Sequence, residues 1–185
     1  MVTIEKYSEA VEFLASQKKN FDIHNEGDDY ARVIFSNIFK NARHTIRIAA
    51  NSLRNVVVDS PEYQDALCSF LGRDNTLLQI IISQLPESAN ENSSSNIYRR
   101  LFLNPAYSEG KIHLKNAGRN LFTIGGKPAN FCVADGLMYR IENDIEKRTA
   151  LCNFGNESRA LKLEEIFDRG FQSLGDELDL SKIVG

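Results

Sequence analysis

Apolar residues recur in the first part of the chain at the spacing of amphipathic helices. This pattern predicts a helix over Thr3–Gln17 and a second helix that begins at Asp28-Asp29. Short carboxylate side chains at such a position can accept hydrogen bonds from the free N–H groups of a helix start. A third helix is predicted to begin with Ser60 as its cap and Pro61 in its first turn, and to end near Gly72.

Between these helices the pattern changes to short apolar runs that indicate strands. The run Thr45–Ala50 is partly alternating, whereas Leu77–Ile82 is almost continuously apolar, which is typical of a strand covered on both faces of a parallel sheet. The polar stretches Lys18–Gly27 and Glu87–Asn96 are predicted to be loops. Helices that alternate with strands in this way predict an α/β fold.

After Gly110 the chain has the pattern of a β-rich segment with a closing helix. Asp135-Gly136 stands between two apolar runs and predicts a tight hairpin, because glycine readily takes the positive φ that the turn needs. Asn156 can cap a last amphipathic helix. The strand candidates of this segment are Lys111–Leu114, Leu121–Ile124, Phe131–Ala134, Met138–Ile141 and Ala150–Phe154.

The size and composition fit one globular domain with short appendages. The 185 residues are 42% hydrophobic and 25% charged, which are ordinary values for a chain that buries a core. We predict an N-terminal helix and loop over 1–27, the main domain over 28–175 and a C-terminal tail over 176–185.

Charge and cysteine content restrict the classes of partner and compartment. The formal net charge of -3 argues against attraction of the whole surface to nucleic acid or anionic lipid. Cys68, Cys132 and Cys152 are odd in number and lack CxxC spacing, which favours free thiols in a reducing compartment. Without a signal-like N-terminus or a long apolar run, the sequence predicts a cytoplasmic protein with no membrane contact, no cofactor and no metal site.

The segment Phe131–Glu142 resembles the strand-turn-strand at the centre of phospholipase D-like proteins. In that superfamily the first strand carries His-x-Lys-x4-Asp, and Gly-Ser-x-Asn follows after six further residues. The resemblance extends as topology over roughly 28–171 and implies a phospholipase D-like mixed sheet flanked by helices on both faces. The superfamily's chemistry uses histidine as the nucleophile and as the acid, and lysine to hold the phosphate charge.

In this chain the resemblance implies that the catalytic motif is lost. With Asp135 as the motif aspartate, Pro128 occupies the histidine position and Asn130 occupies the lysine position. Proline cannot attack phosphorus, and asparagine carries no positive charge. Glu142, Asn143 and Ile145 replace the residues of the second motif.

A second register leaves an active enzyme open. His113-Leu-Lys115 is the one His-x-Lys sequence in the chain and lies on a predicted strand, although Asn120 stands where the aspartate is required. In this alternative His113 would be the nucleophile and Lys115 the phosphate ligand of a dimeric phosphodiesterase or nuclease.

We therefore expect a non-catalytic phospholipase D-like binding or regulatory module, with Asn130, Asp135, Arg140 and Glu142 as candidate ligand-binding residues. The period-two rule places Arg140 and Glu142 on the same side of their strand, where they can form an ion pair. The resemblance implies a homodimer, because half-size members of the superfamily usually pair with their motifs facing each other. It is also compatible with a bacterial origin and with a larger protein partner. Basic residues between Arg99 and Lys127 could contact phosphates, including those of nucleic acid.

Overall fold

The computed structural model describes residues 3–85, 97–147 and 149–184 of the chain. The predicted polar loop Glu87–Asn96 lies outside these residues. Within them no helix has the length and apolar character that a membrane crossing requires.

Helices and strands alternate through the first half, and strands dominate the second half. The helices are α1 (Ile4–Ser16), α2 (Asp28–Asn41), α3 (Pro61–Leu71), α4 (Ile97–Leu103), α5 (Pro105–Ser108), α6 (Glu157–Ser173) and α7 (Leu180–Val184). The strands are β1 (Ile23–Asn25), β2 (Thr45–Ala50), β3 (Leu77–Ile82), β4 (Ile112–Asn116), β5 (Thr123–Ile124), β6 (Lys127–Pro128), β7 (Asn130–Ala134), β8 (Met138–Asp144) and β9 (Thr149–Asn153).

The main sheet has seven strands in the order β1-β9-β8-β7-β2-β3-β4, and β5 pairs with β6 in a separate short ribbon. Strands β2, β3 and β4 run parallel, whereas β7 pairs antiparallel with β2 and begins an antiparallel run through β8, β9 and β1. The prediction that Leu77–Ile82 is a strand inside a parallel sheet is confirmed. The mixed α/β class is confirmed as well.

Helices cover both faces of the sheet, as predicted, but unequally. The larger core lies on the face packed by α2, α3, α4 and their neighbours, and it includes Val11 of α1 and Leu180 of α7. The smaller core lies on the other face, where α6 contributes Ala160, Leu163 and Phe167 against strands β2, β3, β7 and β8. Val11 of the N-terminal segment 1–27 and Leu180 of the C-terminal segment 176–185 thus contribute to the larger core.

Three local predictions need correction. Gly27, not Asp28 or Asp29, is the N-cap of α2, and both carboxylates lie in its first turn, where the helix dipole favours negative charge. The predicted loop Lys18–Gly27 contains β1, which closes one edge of the sheet against β9. Of the predicted strand Leu121–Ile124, only its last two residues are strand.

Candidate functional site

Polar side chains meet at one end of the strands, where β2, β3 and β4 end, β7 begins and β8 ends. We call this end of the sheet the site edge. Ligands of open α/β sheets bind outside the carboxyl ends of parallel strands, so a ligand site is expected at this edge. Asn130 begins β7 directly opposite Glu142 of β8. The antiparallel pairing of these two strands thus brings two candidate residues face to face.

Asn130 and Glu142 form the centre of a hydrogen-bonded network. Asn130 Nδ2 donates to Glu142 Oε2 at 2.9 Å, while the Asn130 side-chain oxygen accepts from the backbone N–H of Asn51 at 2.9 Å. The network therefore ties the start of β7 to the end of β8 and to the residue that follows β2.

Arg140 completes the network as the cation of a buried ion pair. Its two terminal nitrogens each lie 3.2 Å from Glu142 Oε1, and the guanidinium stands 5.0 Å from the centre of the Phe35 ring. Arg140 and Glu142 are only 2% and 3% exposed. Burial of one charge alone would be costly, so each of the two groups stabilises the other in place.

The network forms one wall of a small pocket at the site edge. Phe35 of α2, Tyr63 of α3 and the loop after β2 form the opposite wall. The pocket leaves about 40 Å³ of free space, room for a few water molecules. The pocket thus combines an apolar wall with a buried ion pair.

Two cysteines flank Arg140 on the neighbouring strands. Cys132 of β7 and Cys152 of β9 are its cross-strand partners, and both are fully buried. Burial raises the pKa of the Cys132 thiol to about 12 and that of the Cys152 thiol also to about 12. Thiols in this state are poor nucleophiles, so neither cysteine offers chemistry to the pocket.

Asp135, the fourth candidate, lies in the turn at the other end of the β7–β8 pair, opposite the site edge. Its carboxylate accepts hydrogen bonds from the backbone N–H groups of Arg43, His44 and Thr45 at 2.6, 2.9 and 2.8 Å. The β7–β8 hairpin carries it there, because the turn follows the end of β7 whereas Asn130 begins the strand. Asp135 therefore fixes the turn to the start of β2 and takes no part in the pocket.

Pro128, at the position of the expected nucleophile, belongs to the exposed ribbon of β5 and β6. It pairs with Thr123 and leads through Ala129 into β7. Ile145, in the second motif, lies in the turn between β8 and β9.

The rival pair His113 and Lys115 lies on β4, at the end of the sheet order away from the network. Lys115 Nζ donates to the carbonyl oxygens of Phe171 and Leu174 at 3.1 and 3.4 Å, at the end of α6. His113 Nδ1 lies 2.8 Å from Glu177 Oε2. Neither residue lines any of the pockets at the site edge. Both side chains instead fasten the chain that follows α6 to β4.

The basic residues that could contact phosphates do not form one cluster. Arg100 pairs with Asp65 and Lys111 pairs with Glu109, whereas Arg119 and Lys127 are exposed near the site edge. Among the described residues no group of three His, Cys, Asp or Glu side chains is placed to hold a metal ion.

Phe35, Asn51 and Tyr63 are the site residues that sequence reasoning did not assign. Asn51 carried a usable signal, because polar residues directly after a parallel strand lie where ligands bind in such sheets. Phe35 and Tyr63 carried none, since aromatic residues on helical faces are most often core residues.

Comparison with solved structures identifies the architecture. No protein-family model matches the sequence, and no curated protein matches it significantly. Nuc, a phospholipase D family member from Salmonella typhimurium, superposes with a TM-score of 0.57 at 13% identity over 86% of this chain and 99% of its own. The phosphatidylserine synthase of Haemophilus influenzae gives 0.57 at 9% identity over 89% of this chain and 41% of its own.

A third similar structure is TrmBL2, an archaeal chromatin protein described as having a novel mode of DNA binding. It gives a TM-score of 0.55 at 12% identity over 92% of this chain and 61% of its own. These likenesses confirm the predicted phospholipase D-like fold. The chain matches almost the whole length of Nuc and a part of the two longer proteins.

Proposed function

We propose that this chain, which has a phospholipase D-like fold, is a non-catalytic binding or regulatory module. The observation that carries the proposal is the occupancy of the motif positions by Pro128 and Asn130. Covalent phosphoryl transfer needs a nucleophile and a cation at the phosphate. A proline ring supplies no nucleophile, and an amide supplies no charge.

The contacts around Asn130 support the same conclusion. Its amide is engaged with Glu142 and with the backbone of Asn51, so the position serves the internal structure. The charge of Arg140 is paired with Glu142, so this pair has no net positive charge with which to hold a phosphate. These features favour a partner protein over a phosphate-bearing ligand.

We expect the purified protein to hydrolyse neither bis(p-nitrophenyl) phosphate nor single-stranded or double-stranded DNA. Turnover should equal that of a buffer blank, because Pro128 and Asn130 stand where a nucleophile and a phosphate-binding cation would be needed. Release of p-nitrophenol and DNA cleavage on gels are the measurements. His113→Ala and Lys115→Ala should give the same null result as the wild type.

Turnover that disappears in His113→Ala would overturn the proposal in favour of a phosphodiesterase that uses His113 and Lys115. Glu177→Gln is the matched variant, because it alters the contact of His113 and leaves its imidazole in place. Loss of activity in His113→Ala but not in Glu177→Gln would assign the nucleophile.

The partner that we propose first is a second copy of this chain, bound through the site edge. Three large apolar side chains are exposed in the segments at this edge: Val56 in the loop after β2 at 54%, Leu85 after β3 at 44%, and Ile124 of β5 at 44%. Exposed apolar groups gathered at one side of a protein mark interaction surfaces. The expectation from the phospholipase D-like resemblance, that motif-bearing edges face each other, agrees with this location.

Sedimentation equilibrium should therefore give a mass of twice the 20.9 kDa chain. Ile124→Lys should weaken the dimer about tenfold or more, because it places a charge in an apolar contact. Leu103→Lys is the matched control, since Leu103 is 66% exposed on α4 and away from the site edge. A monomeric wild type, or equal weakening by both variants, would contradict this interface.

A further inference from the structure

We infer that Glu142 is a built-in ligand of Arg140, so that the pocket is a carboxylate-binding site which the chain closes with its own side chain. The inference rests on the proposed non-catalytic role. It adds that the side chain of Glu142 occupies the binding site. The ligand class that fits the site is a small carboxylate.

The geometry around Glu142 is that of a bound anion. Oε1 accepts from both terminal nitrogens of Arg140 at 3.2 Å, and Oε2 accepts from the amide of Asn130 at 2.9 Å. Arginine paired with a carboxylate is a recurrent arrangement in anion recognition. The same donors would receive an external carboxylate in the same way.

The donors are held in place before any anion arrives. Asn130 is fixed by the backbone N–H of Asn51, and the guanidinium of Arg140 is stacked over Phe35. Arg140 is 2% exposed, so an anion at this position stabilises the folded state by compensating its buried charge. Such preorganisation is a property of binding sites, because little order remains to be imposed when the ligand binds.

Glu142 has a strong advantage over external anions. It stands two residues from Arg140 on the same strand, so its carboxylate is presented at a high effective concentration. Because Glu142 lies near the end of β8, at the site edge, its side chain is also close to the pocket that Ser52 and Asn55 line with it. External carboxylates at millimolar concentration should therefore not bind to the wild type.

The test is chemical rescue of Glu142→Ala by acetate. The substitution removes a CH₂–COO⁻ unit, which acetate matches in size and charge. We expect the variant to melt about 10 °C below the wild type, as for loss of one partner of a buried ion pair in a chain of this length. Sodium acetate at about 100 mM should then raise its Tm by about 3–5 °C, as expected for a Kd of about 10 mM.

Four controls separate a site from a general salt effect. Acetamide, the neutral analogue of acetate, and sodium chloride at equal ionic strength should leave the Tm of Glu142→Ala unchanged. Glu142→Gln should not respond to acetate, because its side chain fills the same space. The double variant Arg140→Met/Glu142→Ala should not respond either, because the cation is absent.

Equal effects of acetate on Glu142→Ala and on the wild type would overturn the inference, as would equal rescue by acetamide. If Glu142→Ala does not fold unaided, the yield of folded protein is measured after refolding from urea with acetate, with acetamide or with neither. A yield that does not depend on acetate would overturn the inference. If acetate does not rescue the variant and the wild type hydrolyses no phosphodiester, this inference alone is contradicted. Turnover by the wild type removes the proposed function, whatever acetate does.

Discussion

Replacing Arg140 by methionine is expected to lower the free energy of unfolding by about 3–5 kcal/mol, because the buried carboxylate of Glu142 then loses its ion pair with Arg140. Methionine fills most of the space of the arginine stem, so the loss reports on the charge more than on packing. Urea denaturation followed by far-UV circular dichroism measures it. We expect the transition to move to lower urea with little change in its slope.

Two control variants isolate the ion pair. Arg140→Met/Glu142→Leu removes both charges and should recover most of the loss, since a buried pair replaced by apolar groups is often neutral or stabilising. Arg32→Met removes the cation of an ion pair in which Asp29 is 71% exposed, and it should cost less than about 1 kcal/mol. A cost for Arg140→Met no greater than that for Arg32→Met would show that the pair at the site edge does not stabilise the fold.

The elements that sequence predicted well were those whose pattern depends on burial. Leu77–Ile82 reads as a strand covered on both faces, and the sheet places it between β2 and β4 with helices above and below. The edge strand β1 has no such signal. It is three residues long and owes its extended form to pairing with β9, a partner more than a hundred residues away in the sequence. Long-range pairing of this kind cannot be read from local periodicity.

The candidate site was predictable in its strands and unpredictable in its surroundings. Period-two spacing placed Arg140 and Glu142 on one side of β8, and the structure joins them through two hydrogen bonds. The motif register placed Asn130 near them. The contact of Arg140 with Phe35 depends instead on how α2 crosses the sheet, which no spacing in the sequence encodes.

Asp135, which the proposed register aligns with the motif aspartate, has a structural role. It is the one residue of the aligned motif that this chain retains, and its carboxylate is bound by three backbone N–H groups at the edge opposite the pocket. These hydrogen bonds anchor the hairpin to the start of β2, which stabilises the fold whether or not the protein is catalytic. In the proposed register Pro128 and Asn130 stand at the positions of the motif histidine and lysine, which chemistry alone requires.

Asp135→Ala is accordingly expected to destabilise the protein by about 3 kcal/mol. About 2 kcal/mol comes from hydrogen bonds to a charged acceptor, in part exposed to water. About 1 kcal/mol comes from the positive φ of 53°, which alanine adopts poorly. Urea denaturation of a short series of variants at this position separates the two contributions.

Asp135→Gly removes the carboxylate but accepts the positive φ, so it should cost about 2 kcal/mol. Asp135→Asn tolerates the same φ and keeps one acceptor oxygen, so it should cost about 1 kcal/mol. None of the three variants should alter the mass of the particle in solution, because the hairpin lies at the edge opposite the proposed interface. The order Ala, Gly, Asn from most to least destabilised is what the geometry requires. If glycine were as stable as the wild type, the three N–H contacts would contribute nothing, and the retention of this aspartate would need another cause.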